Sequence, residues 1–316
     1  MLNVILETCA GTLTQGLIYA ILSYGIFITY KILDFPDLTV DGSFPLGAAV
    51  TAVLLTRGVN AWLTLPVAIL SDGQADALWA CAMLIGAAAG LCTGLIHVRA
   101  RVRDLLAGII TMTALYSVNL QIAGSNLMVE RAIDTIYTSA PVMALLGGVP
   151  LLYRKLILSL LLVVVIGAIL EWYFSTKNGL LLRAVGDNET LVTTLAVDKG
   201  RMKILGLVIA NALVALSGCI VCQEGRSFSA TMGTGQMVFG LAAVIIGTTL
   251  FRRMTFVKGT AAVVIGSILY KACIQAAILL GLPANMLKFI TAALFLVILI
   301  TGNMGRGKGG ADRAGA

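Results

Sequence analysis

Apolar and polar positions alternate along this chain in long blocks, not at the period of two that marks half-buried strands. Apolar segments run at roughly 10–31, 41–56, 75–98, 104–124, 155–174, 203–223, 237–251, 257–280 and 284–302. Several approach or exceed the ~20 residues a helix needs to cross a ~30 Å hydrocarbon core. Continuous runs of this kind exclude a transmembrane β-barrel, whose strands alternate apolar with polar residues. The pattern predicts an all-α polytopic membrane bundle of about eight or nine transmembrane helices. The stretch 60–70 is apolar but short and holds Pro66, so it is expected to lie at the interface or to re-enter.

Two segments look broken at membrane depth: Asp34 to Gly47, with Pro36 and Pro45, and Glu224 to Gln236, rich in Gly, Ser and Thr. Non-helical backbone inside a bilayer is tolerated only where protein buries it or water lines it. By analogy with secondary transporters, interrupted segments in the two halves of a chain point to the transport pathway. Gly86, Gly90 and Gly94 form a double G-x-x-x-G, expected to pack helices closely within one protomer.

Composition agrees: 59% of the 316 residues are hydrophobic and 12% are charged, half the charged share of about 25% in soluble domains. The net charge of +7 is spread over short clusters between apolar runs, with no long basic stripe of interleaved aromatics, so nucleic acid is not an expected partner. One side of the membrane collects Lys31, Arg99, Arg101, Arg103, Lys177, Arg183, Lys199, Arg201, Lys203, Arg252, Arg253, Lys258, Arg306, Lys308 and Arg313. The other receives only Arg57, Arg131, Arg154, Lys155, Arg226 and Lys288. The positive-inside rule makes the first side cytoplasmic, with the N-terminus outside and the C-terminus inside. A transmembrane domain is expected over 1–302, followed by a basic, Gly-rich cytoplasmic tail over 303–316.

Few residues offer bond chemistry. His97 is the single histidine, and Cys219 and Cys222 form a C-x-x-C in apolar surroundings, best read as small packing residues. No metal or cofactor is expected. Lys271 lies near the middle of an apolar span, where a lysine costs about 2.5–3.5 kcal/mol on insertion scales. Asp37, Asp41 and Glu224 are the acids near the broken segments and its candidate partners; with Ser43 they form a candidate pathway set. Glu171, near the end of its span, is expected to snorkel to the interface.

The inner loop 175–202 carries the most information. Gly186 is expected to break the chain, and Asp187 or Asn188 to cap a new short helix over 187–197. Asp187 and Glu189 suit its positive end, while Leu191, Val192 and Leu195 make one apolar face. This run resembles the coupling segment of bacterial ABC-importer permeases of the branched-chain amino acid and ribose type. Gly179, Ala184, Gly186, Asn188, Val197 and Lys203 match that family's pattern; Thr193, Thr194 and Ala196 depart from it. The resemblance continues in residues 211–218, in Gly240 to Phe251 with Gly259 and Gly266, and from Gly16 to Gly47. Leu33 to Phe44 is most similar to a subgroup associated with tryptophan/tyrosine-type uptake.

The resemblance implies a permease that passes a small solute, an amino acid and possibly an aromatic one, from an extracytoplasmic substrate-binding protein to the cytoplasm. It implies a cytosolic ATPase dimer, a second permease copy as a likeness-based homodimer, and a bacterial inner membrane. Arg183, Gly186, Asp187, Asn188, Glu189, Leu191 and Leu195 would couple to the ATPase. The chain has no Walker A motif, since Gly305-Arg-Gly-Lys-Gly-Gly lacks the spacing and the hydroxyl residue. Without the resemblance, an ion-coupled secondary transporter or a channel fits the same pattern, and nucleosides or sugars are alternative cargo. A membrane enzyme fits least well.

Overall fold

The computed structural model describes residues 2–57, 74–187, 198–251 and 258–281, together with Met286, Phe289, 291–293 and 295–297. Helix α1 spans Leu2–Ile26 and continues as a π-helical turn, Phe27–Ile32. Then come α2 (Val40–Thr56), α3 (Gln74–Val98), α4 (Asp104–Ala123), the short strand β1 (Asn126–Met128), α5 (Ala140–Leu146), α6 (Leu151–Ser175) and α7 (Lys177–Asp187). After 198 come α8 (Lys199–Gly225), strand β2 (Ser227–Ser229), α9 (Gln236–Leu250) and α10 (Gly259–Leu279). Every apolar segment expected up to 257–280 is a helix. The expected interfacial stretch 60–70, most of the span 284–302 and the tail 303–316 lie outside the described residues.

Among the described residues, six helices are long and apolar enough to cross a membrane by length and composition. Of these, α1 and α8 differ from the rest. Their apolar windows are 72% buried within the protein, against 22% for α4 and α6. A helix that is apolar all round and buried by its own chain forms the core of a bundle. Helix α6 shows the opposite case. Ser159, Val163, Gly167, Leu170 and Phe174 make its buried stripe at helical spacing, and Leu160, Leu161, Val164, Val165 and Ile169 face outward for lipid.

Close approach of backbones ties this core together. A Cβ on Gly86 or Gly90 would strike the carbonyl oxygens of Asn211 or Leu207, and one on Gly94 would crowd Ile204, so the double G-x-x-x-G seats α3 on α8 within one chain. Helices α2 and α9, with 17 and 15 residues, are shorter than a full span. Each is preceded by a stretch of non-helical backbone, residues 33–39 before α2 and 226–235 before α9. Strands β1 and β2 pair antiparallel, with Leu127 opposite Phe228, and so join the segment between α4 and α6 to the start of the second break.

Candidate functional site

The first break is largely buried, and Asp37, Thr39 and Ser43 within it are hydrogen-bonded. Asp37 is 1% exposed. Its Oδ1 accepts from the Thr39 backbone N–H (2.9 Å), and its Oδ2 accepts from Asn211 Nδ2 (2.7 Å). Asn211, midway along α8, accepts on Oδ1 from Ser43 Oγ (2.6 Å) and donates also to Leu207 O (3.0 Å). Thr39 Oγ1 lies 2.7 Å from Thr93 Oγ1 of α3, and Asn119 Nδ2 of α4 donates to Gly42 O at 3.2 Å. Three helices thus hold this turn through side chains, which satisfies polar groups that would be costly if left unpaired in the core.

Asp41 reaches from the first break to the second. Its Oδ2 accepts from the Gly235 N–H (3.0 Å) and its Oδ1 from the Met237 N–H (2.7 Å). A carboxylate at these free N–H groups caps α9 and suits the positive end of its dipole. Pro45 inside α2 has no N–H to return to the Asp41 carbonyl, and Gly233 lies against that carbonyl so closely that a Cβ would overlap it. The two breaks therefore meet inside the bundle.

Lys271 does not pair with the acids expected for it. Among the described residues no carboxylate lies within ion-pair distance of its ammonium. The ammonium sits 3.6 Å from the centre of the Tyr19 ring and 5.1 Å from that of Phe239. Tyr19 packs on Phe44 and Phe239, and Phe239 packs edge-on to Tyr270 at 4.9 Å. Cation–π attraction, stronger when desolvated, replaces the expected ion pair. The acids are engaged elsewhere: Asp37 with Asn211, Asp41 with α9, and Glu224 with Lys155, whose Nζ is 2.7 Å from Glu224 Oε1. Glu171 has partners of its own. Glu171 accepts from Thr260 Oγ1 and pairs with Lys258 at 3.4 Å, linking α6 to the start of α10.

The expected break at Gly186 is not present. Helix α7 runs through it to Asp187, burying Gly179, Leu182 and Val185 on one face. Gly186 is required for close approach: a Cβ there would overlap the carbonyl oxygen of Ile32, at the end of the π-turn. Arg183, on the same helix, stacks on Phe174 with its guanidinium carbon 4.9 Å from the ring centre. Of the other expected coupling residues, Asn188, Glu189, Leu191 and Leu195 lie outside the described residues.

Three engaged polar residues are not marked out by the sequence motifs. Asn211 and Thr93 bridge helices, and Arg154, 6% exposed, donates to the carbonyls of Val149 (3.0 Å) and Tyr137 (3.5 Å) to close the segment between α4 and α6 on itself. A polar residue inside an apolar run is the available signal for Asn211. Cys219 and Cys222 are buried, as packing residues are. The arrangement supplies hydrogen-bonded joints and, at Lys271, a cation held on aromatic rings within an apolar span.

A family model described as the branched-chain amino acid transport system permease component matches residues 8–299. The chain belongs to that family. The tyrosine transport system permease protein of Clostridioides difficile is 36% identical over 294 residues, which cover 93% of this chain and 91% of the relative. The ribose import permease of Escherichia coli is 25% identical over 258 residues, 79% of this chain and 69% of that one. A nucleoside ABC transporter permease protein of Lactococcus lactis matches at 35% over 86 residues, 26% of this chain and 27% of its own. No solved structure matches the chain. The chain is a multi-pass membrane permease component of an ABC-type transporter.

Proposed function

We propose that this permease imports an aromatic amino acid across a bacterial inner membrane, with its N-terminus outside and its C-terminus in the cytoplasm. It receives the solute from an extracytoplasmic binding protein and is driven by a cytosolic ATPase dimer. The observation that carries this reading is the likeness to a tyrosine permease over nearly the whole of both chains. One chain with one coupling region cannot serve two ATPases, so two copies form a two-fold dimer with a self-complementary interface.

The geometry supplies a path for coupling. ATPase closure pushes the segment 187–197 and α7; Gly186 bears on Ile32 at the end of α1. From there the first break, braced by Asp37, Ser43 and Asn211, leads through Asp41 to the second break and α9. On this reading Asp41, Lys271 and Glu224, all half-buried, line the solute pathway, with Glu224 at its outer end.

Reconstitution in proteoliposomes tests this directly. The permease, co-purified with an ATPase in a two-to-two ratio, should take up labelled tyrosine only with internal ATP and external binding protein. Competition by other aromatic amino acids, and none by ribose or nucleosides, is expected. Uptake driven by an ion gradient without the ATPase would overturn the reading. A complex with one copy of this chain and a different permease would refute the homodimer.

A further inference from the structure

A cavity of about 730 Å3 opens between residues 128–138, the start of α6 and the end of α8. It lies apart from Lys271 and from the Asp37 network, neither of which lines it. Its volume is in the range of about 300–1,000 Å3 typical of small-molecule sites. Charges of both signs face it, among them Lys155 and Glu224, with Arg131, Thr135 and Tyr137 around them. Val129 and Leu151 add apolar wall.

The Lys155–Glu224 pair has chemistry to spare. Lys155 Nζ donates to Glu224 Oε1 (2.7 Å) and to the Glu224 backbone carbonyl (3.0 Å), and lies 5.9 Å from the centre of the Tyr137 ring. An ammonium has three N–H donors and a carboxylate has two oxygens. One donor and Glu224 Oε2 therefore remain available towards the cavity. The side chains are 21% and 24% exposed, enough for a ligand to touch both. A partly buried ion pair adds little to stability on its own, because desolvation offsets the attraction. Its structural role is narrower: Lys155 covers a carbonyl in the last turn of α8, which a lysine near any helix C-terminus does.

We infer that this cavity is a receiving site for a zwitterionic α-amino acid on its way into the permease. The ligand carboxylate meets Lys155, its ammonium meets Glu224, and its side chain lies along Tyr137, Val129 and Leu151. Adjacent unlike charges on the protein match adjacent unlike charges on the ligand, which neither a sugar nor a simple anion provides. The inference rests on the proposed amino-acid cargo and orientation.

The test is equilibrium binding of labelled L-tyrosine to the full-length permease in lipid nanodiscs, without ATPase or binding protein. Tyramine, which lacks the carboxylate, and 4-hydroxyphenylpropionate, which lacks the amine, serve as competitors. Saturable tyrosine binding is expected, with each competitor weaker by roughly tenfold or more, as the loss of one charge-assisted hydrogen bond implies. Lys155→Met should erase the penalty for tyramine only, and Glu224→Gln the penalty for 4-hydroxyphenylpropionate only. A purely structural pair would instead weaken all three probes together. That result overturns the inference, as does wild-type binding that ignores either charge, which needs no variant to fold. ATP-driven tyrosine uptake by the assembled importer is measured in parallel. Uptake without charge-selective binding overturns the site alone; absence of both overturns the proposed cargo as well.

Discussion

Helices α1 and α8 form the buried centre of the bundle, and the segment after each begins with a residue other than glycine at positive φ, Asp34 (φ 51°) and Arg226 (φ 51°). The two segments then diverge. After Asp34 the chain turns inward: Phe35, Asp37, Thr39 and Val40 are buried, and side chains from α3, α4 and α8 hold the turn. After Arg226 the chain keeps Ser227, Thr231, Thr234 and Gly235 exposed. It is held by backbone pairing to β1, by Arg226 Nη1 donating to Glu130 O and Ile133 O (both 2.8 Å), and by Asp41. Buried side-chain hydrogen bonds are expensive to open, because each separated partner is left unsatisfied. Surface pairing can exchange with water and opens at low cost. The first break is thus the more firmly held joint and the second the one that opens at lower cost, with Asp41 as the link between them.

The comparison is broken most severely at Asp37. Asp37→Ala leaves the Thr39 N–H and one Asn211 N–H without partners, at a cost of about 3 kcal/mol or more. A large fall in Tm and in yield of the purified permease is expected, and Asn211→Ala should show a similar fall. Stability within error of the wild type for both would remove the firmly held joint. Next in size is Gly186→Ala, where the added methyl meets the Ile32 carbonyl. Overpacking of this kind costs about 1–3 kcal/mol, and here it displaces α7 from the end of α1. ATP hydrolysis should continue while uptake falls several-fold. Equal retention of both would cut the proposed link between α7 and the first break.

Asp41→Ala removes the cap on α9, worth about 0.5–2 kcal/mol. Uptake should drop more than stability does, because the lost bonds join the two breaks; Asp41→Asn, still an acceptor, should recover most of it. Lys271→Met has the smallest effect on stability. It forfeits cation–π contacts of about 0.5–2 kcal/mol but also removes the cost of burying a charge. Tm should stay near the wild type, while uptake of the amino acid declines.

The spans were legible because apolar length and helix length are linked by the bilayer, and no tertiary information is needed to see them. The polar residues of the first break were visible for a related reason, as Asp37, Asp41 and Ser43 interrupt apolar sequence. Their partners were not. Asn211 pairs with Asp37 across most of the chain, and Glu224 finds Lys155 in a different helix. For Lys271 the nearest acids in the sequence pattern suggested an ion pair, whereas folding brings Tyr19 of α1 and Phe239 of α9 over the ammonium. Gly186 shows the same limit. A glycine beside Asp and Asn reads as a helix boundary, yet here a backbone from another helix demands the missing Cβ.

The central claim is that the meeting point of the two breaks lines the solute pathway, and solvent access tests it most directly. In a chain freed of its six native cysteines, Asp41→Cys and Lys271→Cys are exposed to a membrane-impermeant thiol reagent with and without ATP, beside a Met128→Cys control in the outer-loop segment, where Met128 is 80% exposed. The account predicts labelling at both positions that changes with nucleotide, while the control reacts throughout. Labelling of the control alone, with Asp41→Cys and Lys271→Cys silent in every nucleotide state, would contradict it.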